Sequence, residues 1–331
     1  MKFGPVPPSR AEGAVLAHSV ALADGRLRKG VVLEAAHVAA LEAAGITQVT
    51  VARLDPEDVG EDAAAARLAA AVVPDPEAAG LRLGPAATGR VNILADRPGV
   101  VVIEEGAVRA LNAVEPMITM ATVPPFQQMR PGGMVATVKI ISYALPGADL
   151  ARACTLGAES LRVASVVYHD ASLIFTEISG GAGDKGRAAI ETRLDSLGMT
   201  LREVHCVPHE RGALRAAILD AKGEMVLILT GSATSDPHDV GPSALREAGG
   251  EVIRVGMPVD PGNLLFLGQL GDKPVIGLPG SARSPVLHGA DWVLSRVACG
   301  IPLSSEDIAG MAVGGLLKEI PTRPMPRRGR R

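Results

Sequence analysis

Leu229-Thr-Gly-Ser-Ala-Thr-Ser-Asp-Pro-His-Asp-Val240 is the stretch on which the reading of this chain turns. Just ahead of it, Glu224-Met-Val-Leu-Ile-Leu229 is a short apolar run without Gly or Pro, the pattern of a strand buried on both faces of a parallel sheet. Behind it, Asp239-Val-Gly-Pro-Ser-Ala-Leu-Arg-Glu-Ala-Gly249 opens with a helix-start acid and Pro242 and closes on glycine. The loop therefore lies between the carboxyl end of a strand and the start of a helix, which is where open α/β sheets bind ligands.

Working outward, the same alternation repeats. Leu161 to Tyr168 is expected as a strand, Asp184 to Leu197 as a helix behind the Gly180-Gly-Ala-Gly183 loop, Met199 to Val207 as a strand and Glu210 to Lys222 as a helix. Glu251 to Val255, Leu264 to Leu270 and Pro274 to Leu278 read as strands, and Ser284 to Cys299 as the last helix. Strands and helices alternating at this spacing predict a mostly parallel sheet with helices on both faces, a three-layer αβα domain over residues 161–302. The fold class is α/β, preceded by a smaller α+β and β-rich region. Residues 1–80 read as a small α+β unit, with a β-α-β-like piece around helix Glu34 to Ala44 and strand Ile46 to Val51, then helix Val59 to Val73. Residues 81–145 break into short apolar pieces between Gly and Pro, a β-rich subdomain; 146–160 reads as a linker ending in a short helix. Residues 303–331 form a tail whose Pro- and Arg-rich end is expected to be disordered.

A near-neutral balance, formal net charge −3 over 331 residues, carries no nucleic-acid footprint. Two Tyr, four Phe and one Trp also exclude a stacking surface for single strands. No apolar run approaches the ~20 residues needed to span a bilayer, and the amino terminus lacks a signal-peptide pattern, so a cytoplasmic protein is expected. Cys154, Cys206 and Cys299 are far apart and read as reduced packing residues.

Three loops of the αβα domain share one character. Gly180 to Gly186, Thr230 to Asp239 and Gly277 to Pro285 all follow strands and offer small side chains and backbone N–H groups. Amides at a helix start favour a phosphate, and Arg283 can clamp one. Asp239 and Asp184 are carboxylates suited to hold Mg²⁺ beside it. The plainer readings are a simple glycine-rich turn, an N-cap for Asp239 and a surface cation for Arg283. In His205-Cys206-Val-Pro-His209 the first two side chains fall on opposite strand faces, which argues against a metal site.

Thr230-Gly-Ser-Ala-Thr-Ser-Asp-Pro-His-Asp-Val240 is similar to the Thr-Gly-Gly-Thr-Gly-x-x-x-Arg-Asp-Val loop of molybdopterin-binding domains, shared by molybdopterin adenylyltransferases, molybdenumtransferases and gephyrin. Gly277-Leu-Pro-Gly280, Pro261-Gly262 with Phe266-Leu-Gly268, and Asp184-Lys-Gly186 resemble further segments of that family in the same order. The resemblance implies binding of molybdopterin, a pterin phosphate, in molybdenum cofactor biosynthesis, with nucleotidyl or molybdenum transfer from ATP or molybdate. It implies that Thr230, Gly231, Ser232, Gly280, Ser281, Arg283 and Ser284 line the ligand and that Asp239 and Asp184 act as catalytic or metal-binding carboxylates. A homo-oligomer, and other cofactor-biosynthesis proteins as partners, are expected by the same analogy.

The departures fall on functional positions. Ser232 and Thr234 stand for glycines, His238 for arginine, Ser281 for asparagine, and Asp260 and Asn263 for lysines. These changes spare binding more than catalysis. The alternative reading is a non-catalytic carrier or scaffold acting with a cofactor-maturing nucleotidyltransferase; an unrelated domain for another phosphorylated metabolite is a third.

Overall fold

A computed structural model describes residues 1–23, 25–179 and 185–317. The chain forms two compact units, one made of Met1–Arg97, Val101–Pro125 and Pro131–Val163, the other of Pro98–Val100, Phe126–Arg130 and Ala164–Arg331.

In the first unit, strand Val49–Arg53 lies antiparallel to both Lys2–Val6 and Val15–Leu16. The expected β-α-β-like piece is thus an antiparallel arrangement, and helix Ala35–Ala43 buries Leu41 beside Leu16, Leu33, Val49 and Val51. A four-stranded antiparallel sheet follows, from Leu81–Leu83, Arg90–Ala95, Met134–Ile140 and Ile118–Thr122. Helix Glu61–Val72 lays Ala64, Ala65, Leu68, Ala69 and Val72 on its two central strands; the alanine run lets helix and sheet approach closely. Gly147–Leu156 is helical throughout and buries Leu150 and Ala153.

The second unit is built on a six-stranded sheet. Its strands are β1 (Asp170–Glu177), β2 (Thr200–Pro208), β3 (Met225–Leu229), β4 (Glu251–Val255), β5 (Phe266–Leu270) and β6 (Lys273–Leu278), in the order β2-β1-β3-β6-β5-β4. The first four strands in that order are parallel, and β5 and β4 complete the sheet as an antiparallel pair. Alternation along β3 explains its wholly apolar sequence. Leu227 and Leu229 join Leu173, Phe175, Ile276 and Leu278 in a core shared with helices α1 (Arg187–Ser196) and α4 (Gly289–Ala298). Val226 and Ile228 point the other way, to Leu214, Ile218, Ala244 and Leu245 of α2 (Arg211–Asp220) and α3 (Val240–Glu247). Each strand residue is therefore buried whichever face it points to, as a three-layer sheet requires.

Four points of the sequence reading are corrected in this unit. The strand expected at Leu161 to Tyr168 ends at Ser165 and lies outside the six-stranded sheet. The first strand of that sheet is β1, hidden in the sequence because Ser172 and Thr176 interrupt its apolar run; both are buried and hydrogen-bonded. The last helix starts at Gly289, not Ser284. Ser284 precedes Pro285, which disfavours helical backbone before it, and Ser284 is extended with ψ 146°. Among the cysteines no disulfide forms, and Cys206 is exposed on edge strand β2 instead of packing inside. No helix among the described residues is long and apolar enough to cross a membrane.

Candidate functional site

At the carboxyl end of β3 the chain turns sharply over the end of β1. The Gly231 N–H donates to Thr176 Oγ1 at 2.9 Å, and Thr176 Oγ1 lies 2.8 Å from His209 Nδ1. A Cβ at position 231 would sit 2.6 Å from the Thr176 carbonyl oxygen, so only glycine lets the two backbones approach this closely. Thr230 is buried and its Oγ1 donates to the Ser232 carbonyl at 2.6 Å, while Ser232 itself is exposed.

Asp239 closes the loop. Its Oδ1 accepts from the Val240 N–H at 2.8 Å and its Oδ2 from the Ser235 N–H at 3.0 Å, which makes it the N-cap of α3. Asp236 Oδ1 accepts from the His238 N–H at 2.7 Å, and the His238 carbonyl accepts from Arg211 Nη2 and Ser243 Oγ, both at 2.8 Å. The His238 side chain is exposed.

Behind β6 the chain makes a 3₁₀ turn over Gly280–Arg283, and the helix start expected next to Arg283 lies five residues on, past an extended segment. Arg283 is the junction of the site. Its Nη1 donates to the Lys185 carbonyl and its Nη2 to the Thr230 carbonyl at 3.3 Å, with the guanidinium 5.9 Å from the Phe175 ring centroid. Gly186, at φ 100°, is pressed against the Arg283 backbone; a Cβ there would be 2.8 Å from Arg283 Cα. Burial pushes the Arg283 guanidinium below its ordinary pKa, and it remains a cation. The segments that follow β1, β3 and β6 are thereby tied together at one edge of the parallel strands.

The other residues singled out by sequence have these places. Gly280 is exposed with open space around it, Ser281 is half-buried, and Ser284 is exposed with its Oγ accepting from the Val286 N–H at 3.3 Å. The Pro261 carbonyl accepts from the Gly289 N–H at 2.8 Å, which sets the Asp260–Asn263 segment against the start of α4. Asp184 and the Gly180-Gly-Ala-Gly183 loop lie outside the described residues. Among the described residues no three His, Cys, Asp or Glu side chains gather as a metal site, and each Asp239 oxygen accepts one backbone amide. His205 Nε2 lies 3.3 Å from Glu203 Oε1.

Motif glycine Gly277 and helix glycine Gly241 answer to packing. The Phe266 ring lies against both Gly277 and Gly241: a Cβ would come within 1.9 Å of Phe266 Cε1 at the first and 2.7 Å at the second. Thr176 and Arg193 are candidates that sequence reasoning missed, and His209 is weighed there only as a metal ligand. The apolar alternation Ala171, Leu173, Phe175 was the available signal for the strand that carries Thr176. Nothing in the sequence pairs His209 with Gly231.

The fold is an α/β domain whose loops meet at the carboxyl edge of a parallel sheet, the place where open α/β sheets bind ligands. Residues 155–297 match the family model described as a probable molybdopterin binding domain. Residues 5–53 match a domain of unknown function. Among solved structures the chain is similar to the molybdopterin biosynthesis MoeA protein of Pyrococcus horikosii, at 15% identity and TM-score 0.30, covering 94% of this chain and 76% of that one. It is also similar to a molybdopterin biosynthesis protein of Mycobacterium abscessus, at 15% identity and TM-score 0.28, covering 41% of this chain and 94% of that one. No curated protein matches the chain.

Proposed function

We propose that this protein serves molybdenum cofactor biosynthesis by binding molybdopterin across the Thr230–Asp239 and Gly280–Ser284 loops. The observation that supports this reading is the Arg283 bridge to the Lys185 and Thr230 carbonyls, which joins the loops within the segment matched to the domain family. In this reading Thr230, Gly231, Ser232, Gly280, Ser281 and Ser284 line the pterin and its phosphate, and the guanidinium supplies fixed positive charge. Binding and hand-over of the cofactor to a nucleotidyltransferase is favoured over group transfer, because Ser232 and Thr234 stand for glycines of the family's loop and Asp260 and Asn263 supply no cation where the family carries lysines. Adenylyl or molybdenum transfer with Mg-ATP or molybdate is the second reading, favoured by the carboxylate of Asp239 at the family's acidic position.

The test is a titration of the purified protein with molybdopterin, with and without Mg-ATP and molybdate, followed by product analysis, for wild type and Asp239→Asn. Equal binding without turnover supports the carrier; turnover lost in Asp239→Asn supports the transferase. Wild type that binds no pterin refutes both.

A further inference from the structure

Arg193 lies on α1, outside every motif considered above. Its side chain is 10% exposed, and each of its five N–H groups has an acceptor. Nε donates to Asp291 Oδ1 at 2.5 Å. Nη1 donates to the carbonyls of Ala189 at 3.1 Å and Ala282 at 3.0 Å. Nη2 donates to the carbonyls of Ser284 at 2.8 Å and Val286 at 3.2 Å. Three of these acceptors are alternate carbonyls of the loop behind β6, and two of them, Ala282 and Ser284, flank Arg283. Asp291 in turn accepts from the His288 N–H at 2.8 Å through Oδ2 and so holds the far end of the same loop.

The geometry points to Arg193 as the positioning residue of the ligand site: it grips the backbone on both sides of Arg283 and so sets where the Arg283 guanidinium meets the other two loops. A planar fork is required for this. Lysine carries three N–H groups on one atom and cannot span carbonyls two residues apart on one side and a carboxylate on the other. The inference rests on the molybdopterin reading only in its affinity arm.

Arg193→Lys keeps the charge that Asp291 needs and removes the fork. The expected result is a folded protein in which amide hydrogen exchange accelerates at Ala282, Ser284 and Val286 while the amides of β1 and β3 stay protected. Its molybdopterin Kd rises roughly tenfold, as it does when about a tenth of the molecules keep the loop in place. Unchanged exchange in the loop, or exchange raised evenly through the sheet, overturns the assignment, as does a wild-type affinity in a variant with a loosened loop. In wild type, NMR of the Arg193 guanidinium decides the question without a variant. Separate, slowly exchanging Nη protons are expected, and signals averaged by free rotation would overturn it. Wild type that binds no molybdopterin refutes the functional reading, while the exchange and NMR arms still decide whether Arg193 holds the loop around Arg283.

Discussion

Replacing Gly231 by alanine tests the closest backbone approach in the site. The new Cβ would stand 2.6 Å from the Thr176 carbonyl oxygen and 3.3 Å from the Ile178 nitrogen. Both are main-chain atoms at the end of β1, so no side chain can rotate aside. Relief to ordinary contact requires the loop to lift by roughly 0.8 Å. That displacement takes the 2.9 Å bond from Gly231 N–H to Thr176 Oγ1 beyond useful length. Overpacking costs about 1–3 kcal/mol and the lost bond about 1 kcal/mol. The stiffer unfolded chain returns about 0.4–1 kcal/mol, leaving a net loss of about 1–3.6 kcal/mol. For a unit of this size the melting temperature should fall by roughly 2–4 °C per kcal/mol. Differential scanning calorimetry measures the fall, and a molybdopterin titration below the transition measures the accompanying loss of affinity. A Gly231→Ala protein that melts with wild type and binds the pterin equally would refute the reasoning about this contact.

Two further outcomes follow from the same geometry. Thr176→Val keeps the shape of a buried side chain but strands the Gly231 N–H and His209 Nδ1, so urea unfolding should show a loss of about 1–3 kcal/mol; a neutral effect would mean that water or a shifted loop takes over both groups. His288 caps α4 through Nδ1, and burial, its largest influence, pulls its pKa from 6.5 down to about 4. The folded state therefore binds this proton less readily than the unfolded one. The stability it contributes is complete above pH 6.5 and is lost progressively as the pH falls toward 4. His288→Asn keeps a capping acceptor and should flatten the dependence of stability on pH in that window; parallel profiles for the two proteins would count against the assignment.

The sequence alone determined the αβα layering and the edge at which the loops lie, because both follow from local patterns. The five apolar residues of Met225–Leu229 require burial on two faces, and Asp239 with Pro242 starts a helix wherever the chain is placed. The family's loop residues were legible for the same reason, being contiguous in the chain. Tertiary structure decided what those residues touch. Asp239 spends both oxygens on backbone amides, Gly277 and Gly241 make room for the Phe266 ring, and Arg283 reaches carbonyls 53 and 98 residues away. Strand β1 stayed hidden because its buried Ser172 and Thr176 look like loop residues until Glu203, Gly231 and His209 arrive to pair with them. Arg193 stayed hidden because an arginine in a helix carries no local mark of the four acceptors that the fold brings to it from beyond its own helix. Periodicity records which way a residue faces. Hydrogen bonds between distant loops exist only once the sheet has fixed the distance between them.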